Sequence, residues 1–93
     1  MLFIVSWTVM PDKRDIAIER FLKTGALPPA GIEMKGRWHA VGRVGGFGLA
    51  ETNDPVLLQT WLLEWNDIMH MEVYPALTDE QSAPLLMALA AKR

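Results

Sequence analysis

Hydrophobic and polar positions change period along this chain, and each change marks an element. Leu2–Val9 is dense in β-branched and aromatic residues (Phe3, Ile4, Val5, Trp7, Val9), the pattern of a central strand buried on both faces. Pro11 and Asp12 stop it, and Asp12 is placed to cap the next helix with its carboxylate. There Ile18, Phe21 and Leu22 recur at helical spacing, and Gly25 is the expected terminator. Leu27–Gly31, with Pro28 and Pro29, reads as an extended crossing loop. From Ile32 to Val41 the pattern alternates: Ile32, Met34, Trp38 and Ala40 on one face, Glu33, Lys35, Arg37 and His39 on the other. Gly42–Gly46 is a glycine-rich hairpin turn, and Phe47–Glu51 returns as a strand with Gly46, Gly48 and Ala50 on one face. Asp54-Pro55 starts a second helix, a capping carboxylate followed by proline, with Leu58, Trp61, Leu62 and Trp65 as its buried stripe. Ile68–Leu77 is a strand again, with Met69, Met71, Val73 and Leu77 opposite His70, Glu72 and Tyr74. Thr78–Gln81 matches a capping box. Pro84 lies too deep for a first turn, which predicts that the last helix restarts near Ser82 and carries Leu85, Leu86 and Leu89.

The order strand, helix, strand, turn, strand, helix, strand is that of a ferredoxin-like α+β sandwich, βαββαβ, with a four-stranded antiparallel sheet and an extra C-terminal helix. The chain of 93 residues is expected to be one domain over residues 1–93. In this topology the helices cover one sheet face and leave the other bare. Four strands about 5 Å apart and about 20 Å long present roughly 400 Å² there. Ser6, Thr8, Arg37, His39, His70, Glu72 and Tyr74 are assigned to the open face, and Trp7, Trp38, Met71 and Val73 to the helix side. A one-residue slip would invert any strand; the third strand fits either way.

Composition adds a partner to this picture. At 51% hydrophobic, so small a chain has more apolar side chains than a thin core needs, and a bare sheet face would associate unless paired. Two-fold, sheet-on-sheet pairing into a homodimer is the simplest solution. A mixed polar and apolar face closed by its mate is also the usual form of a small-ligand site. Net charge is −2 and the basic residues are scattered, which argues against nucleic acid. The absence of cysteine excludes disulfides and thiolate metal sites and suits a cytoplasmic protein. Met1–Met10 lacks the basic start and cleavage site of a signal peptide, and no apolar run approaches the ~20 residues of a membrane span, so no membrane partner is expected.

No nucleotide loop, metal cluster or nucleophile–base set stands out. Arg37 and His39, two apart on one strand, could hold an anion and exchange a proton, or form an edge-strand surface pair. His70 shares its face with Glu72 and Tyr74, and a His–Glu pair could act as an acid–base unit or the imidazole could ligate a metal. His39 and His70 lie on opposite edge strands, roughly 14 Å apart by strand spacing, so one chain cannot join them at a metal, whereas a two-fold mate could. The bland alternative is a set of solvated edge-strand polar residues, and the expectation is no metal and no resident cofactor. Trp7, Trp61 and Trp65 read as core, with Trp38 less settled beside Arg37 and His39. The candidate ligand-binding set is Ser6, Arg37, Trp38, His39, Glu72 and Tyr74; candidate catalytic groups are His39 and His70.

Gly36-Arg37-Trp38-His39, the glycine-rich turn, Trp61-Leu62-Leu63-Glu64-Trp65, the opening Met1–Val5 and Arg20-Phe21-Leu22 resemble a family of small bacterial proteins classed as a domain of unknown function. The resemblance covers nearly the whole chain and implies a fold but no activity. More distantly, the chain is similar to the dimeric α/β-barrel superfamily, whose members pair sheet to sheet. That superfamily includes cofactor-independent monooxygenases of antibiotic biosynthesis, haem-degrading oxygenases, chlorite dismutase relatives and stress-response barrel proteins. These activities are mutually incompatible, so analogy of fold selects none. The leading expectation is a homodimer binding a small, partly apolar molecule at its cleft, with Arg37 and His39 as polar anchors. The alternatives are an oxygenase, cofactor-free or haem-dependent, that uses His39 or His70, and a purely structural dimerisation module.

Overall fold

The computed structural model describes residues 1–92. Four strands form one antiparallel sheet: β1 (Leu2–Val9), β2 (Glu33–His39), β3 (Gly45–Glu51) and β4 (Met69–Ala76), in the order β2-β3-β1-β4. Helices α1 (Arg14–Thr24) and α2 (Pro55–Leu62) connect them, and α3 (Asp79–Ala90) follows β4. The architecture is ferredoxin-like α+β with an added C-terminal helix, as the order of elements predicts. No helix among the described residues is long and apolar enough to cross a membrane.

β1 is central, but only its helix-facing side is deeply buried: Phe3, Val5 and Val9. The core divides in two along it. Phe3, Val5, Ile32, Ala50, Leu58, Trp61 and Leu62 pack under α2. Val9, Ala17, Trp65, Ile68 and Met69 pack under α1, with Trp7 and Phe21 partly buried against them. Leu58, Trp61 and Leu62 of the predicted stripe are buried on α2, which ends before Trp65, so that Trp65 is buried from the turn that follows; Asp54 caps the helix by accepting from the Val56 and Leu57 amides at 3.0 and 3.1 Å. Gly46, Gly48 and Ala50 of β3 face the helices. Their small size makes room there: a Cβ at Gly48 would lie 3.0 Å from the Met34 methyl.

Three local expectations are corrected. Asp12 does not cap α1; it lies inside a short 3₁₀ turn, Pro11–Lys13, in which the Lys13 amide donates to the Met10 carbonyl at 2.8 Å. The buried side of α1 is also rotated. Ala17 makes the close approach to the sheet and Phe21 follows one turn later, while Ile18 is exposed and Leu22 is 77% exposed. Gly25 ends the helix as expected, at φ +70°. Finally, α3 does not restart at Ser82. Its capping box starts it at Asp79, with Thr78 and Gln81 exchanging bonds of 2.9 and 3.2 Å, and it runs on through Pro84. Only the hydrogen bond that position 84 would have donated to Glu80 is forgone, on a solvent-facing turn.

The main departure from strict alternation is in β2. A bulge between Met34 and Gly36 shifts its register against β3, so that Arg37 pairs with Gly48, Trp38 with Phe47 and His39 with Gly46. Met34 keeps its helix-facing place opposite Ala50. Beyond the bulge every residue changes face, because one extra residue in a period-two element exchanges the two sides. Arg37 and His39 therefore lie on the helix side and Trp38 on the open face, the reverse of the sequence reading.

Candidate functional site

Register places the open-face side chains in rows that cross the sheet. Trp38, Phe47, Ser6 and Glu72 form one row, from β2 through β3 and β1 to β4. Leu49, Ile4 and Tyr74 form the next, and Thr8 and His70 lie on the other side. The face is thus divided. The β2–β3 half is apolar, with Trp38 56% and Phe47 49% exposed. The Trp38 ring folds back over Gly36, where any Cβ would meet it, and the Arg43 guanidinium lies 5.9 Å from the Phe47 ring centroid. The β4 half is polar.

On β4, positions 70, 72 and 74 share a face because a strand repeats every two residues, and their side chains form a chain of hydrogen bonds. The Tyr74 phenol donates to one Glu72 oxygen, and His70 Nε2 lies 3.2 Å from the other. The Tyr74 hydroxyl, and after it His70, holds the Glu72 carboxyl below the usual carboxylate range. In return Glu72 raises Tyr74 above the ordinary phenol value of 10.0. Glu72 is therefore the anion and Tyr74 stays protonated. An ionised carboxylate only accepts, so Nε2 is the protonated nitrogen of His70. The arrangement offers a ligand one fixed anionic acceptor, a phenol oxygen with a free lone pair, and the Ser6 hydroxyl on the neighbouring strand.

Of the sequence candidates, Ser6, Trp38, Glu72, Tyr74 and His70 are brought to one face, and Arg37 and His39 are not. Arg37 is half-buried on the helix side. Its guanidinium donates to the Ala26 and Gly25 carbonyls, both at 3.2 Å, and lies 4.9 Å from the centroid of the Phe21 ring. It ties β2 to the end of α1. His39, at the sheet edge, stands edge-on to Trp7 and Phe21, with ring centroids 6.0 and 5.7 Å away. The spaces on this side are small: a cavity of about 70 Å³ beside Trp7, Phe21 and Arg37, and one of about 140 Å³ beside His39 and Val44. Both fall below the ~300 Å³ at which drug-sized sites begin, so the space beside His39 does not fit a haem. His39 and His70 occupy opposite edges of the sheet and opposite faces. No group of three or more possible metal-ligating side chains occurs among the described residues.

Phe47 was not among the sequence candidates. The signal for it is the run Gly46, Gly48, Ala50: three small residues on one face belong against bulky helix-side neighbours, which sends Phe47 and Leu49 to the other face. Gly36 inside an alternating strand is likewise the mark of a bulge.

A family model described as a domain of unknown function, DUF3303, matches residues 1–90, and the chain belongs to that family. No curated protein matches it.

Proposed function

We propose that this DUF3303 chain works as a homodimer whose two open sheet faces close on each other and hold a small, partly apolar molecule. The observation that supports this most directly is the divided face. Trp38 and Phe47 stand half in water in the same row as Ser6 and Glu72, so an apolar shelf and a hydrogen-bonding cluster meet within one sheet. Under a two-fold axis near the middle of the face, each copy contributes its shelf and its polar cluster to the closed cleft, and each bound molecule is contacted by both. The ligand that fits carries a flat apolar portion for the Trp38/Phe47 shelf and at least one hydrogen-bond donor for the Glu72 carboxylate. Arg37 and His39 lie outside this cleft, and their role here is to hold β2 against α1.

Native mass spectrometry of gently purified protein tests the reading. The expected result is a dimer carrying a reproducible adduct, lost in Trp38→Ala and Glu72→Gln and kept in His39→Ala. A monomer at micromolar concentration, or an adduct indifferent to Trp38 and Glu72, would refute it. The His70–Glu72–Tyr74 chain also joins an acid and a base by hydrogen bonds, which is the feature that an oxygenase reading of the same cleft would use. Consumption of oxygen with candidate phenolic substrates, abolished by His70→Ala, would decide for it.

A further inference from the structure

The last helix carries a surface that its own chain leaves in water. α3 is polar only in its first turn, at Asp79, Glu80, Gln81 and Ser82. From Ala83 to Ala90 every residue is apolar or proline. A helix apolar all round is one that packs on several sides, yet α3 buries none of its residues, and Leu85, Leu86, Met87 and Leu89 are 62–71% exposed. The helix stands off the body, which gives a radius of gyration of 16.0 Å and a long dimension of 53 Å; a compact chain of this length has about 12 Å.

The body carries a matching vacancy. Between α2 and the free edge of β4 runs a groove of about 330 Å³ with an apolar floor and wall of Met10, Leu62, Leu63, Met71 and Val73 and a polar rim of Gln59, Asn66 and His70. Leu63, Met10 and Val73 are all exposed there. The apolar stretch Ala83–Ala90 is about 12 Å long, and residues 69–73 of β4, which line the groove, span about 16 Å, so one fits along the other. We propose that α3 reaches round the sheet edge and lies in the α2/β4 groove of a second copy of this chain, while the second copy's helix does the same in return. The standard size of a stable interface, about 1,600 Å² in all, corresponds to about 400 Å² from each of two helices and two grooves, and four large apolar side chains that are 62–71% exposed supply the helix share.

This inference shares with the function proposed above only the second copy, and the two fail separately. The chain has no cysteine, so Met87→Cys on the helix and Leu63→Cys at the groove introduce unique, exposed thiols. The two single variants are mixed as folded proteins, allowed to exchange subunits, and treated with a short bismaleimide; products are read by intact mass and peptide mapping. The expected result is a covalent species of twice the 10.4 kDa chain mass in which residue 87 of one variant is joined to residue 63 of the other, and a several-fold lower yield when Leu89→Glu is added to the helix. Joining of 87 only to 87 would mean that the helices pair with each other and would overturn the groove. An intrachain 63–87 link in a double variant at high dilution would overturn the exchange. Absence of any link in a protein that light scattering shows to be dimeric would leave sheet pairing standing and remove the helix from it.

Discussion

Replacing Arg37 and Lys35 by alanine, separately, tests the β2 bulge, on which the whole assignment of faces depends. In an unbulged strand, positions 35 and 37 share a face and the two substitutions behave alike. With the bulge they do not. Lys35 is exposed and makes a 3.3 Å ion pair with the exposed Glu33, and such pairs contribute about 0–1 kcal/mol. Arg37 makes two 3.2 Å bonds to the Gly25 and Ala26 carbonyls and lies over Phe21. Bonds to a charged donor contribute about 1.5–3 kcal/mol each when well buried, and these are long and only half-buried, so about 0.5–1 kcal/mol each is the appropriate scale. The ring contact contributes about 0.5–1 kcal/mol. Arg37→Ala should therefore cost about 2 kcal/mol and Lys35→Ala under about 0.5 kcal/mol. With a urea m-value of about 1–2 kcal/mol/M for a domain of this size, the Arg37 midpoint falls by about 1–2 M and the Lys35 midpoint barely moves. The assay is urea unfolding followed by far-ultraviolet circular dichroism at two protein concentrations tenfold apart. A tether within one chain gives the same loss at both, whereas a contact across a dimer does not. Equal midpoints for the two variants would refute the bulge and return Arg37 to the open face.

Other consequences can be checked as directly. Tyr74 is the only tyrosine, so absorbance at 295 nm titrates it alone. Its midpoint should lie above 10.0 and move back toward that value in Glu72→Gln, and any stability it lends is present below pH 10.0 and lost as pH rises through the raised value. Arg20 donates to both Asp67 oxygens, at 2.9 and 3.0 Å, and holds that carboxyl below its ordinary value of 3.8. Asp67→Asn should therefore be less stable than the parent above pH 3.8, and the gap should close as pH falls through the lowered value; a gap that persists at lower pH would count against this pairing. Leu58→Ala in the core under α2 should cost about 2–5 kcal/mol, against about 1 kcal/mol for Asp54→Ala at the cap of the same helix, both read from unfolding midpoints. Gly36→Ala should displace the Trp38 ring, seen as a shift in tryptophan emission, with a smaller effect in a Trp38→Phe background.

The elements that could be read from the chain alone are those whose cause is local. The Asp54-Pro55 start and the Leu58/Trp61/Leu62 stripe of α2, the Gly25 stop, the Thr78/Gln81 box and the alternation of β4 each depend on residues a few positions apart, and they appear in the fold as written; Trp65, expected on the same stripe, lies beyond the end of α2 and packs under α1. The ferredoxin-like order follows from counting such elements. The His70–Glu72–Tyr74 chain is equally local, since residues two apart on a strand share a face. The face of Arg37 and His39 was not accessible in this way. Gly36 permits a bulge, but where the extra residue falls is decided by pairing with β3, where Met34 packs toward Gly48 and Phe21 receives the Arg37 guanidinium. The choice of Ala17 rather than Ile18 and Leu22 for the buried side of α1 is of the same kind, because the distance between helix and sheet selects the small residue at the point of contact. Periodicity along the chain states which residues share a side. Which side meets the core, and where one inserted residue exchanges the two, depends on contacts between segments far apart in sequence, and only the packed structure supplies them.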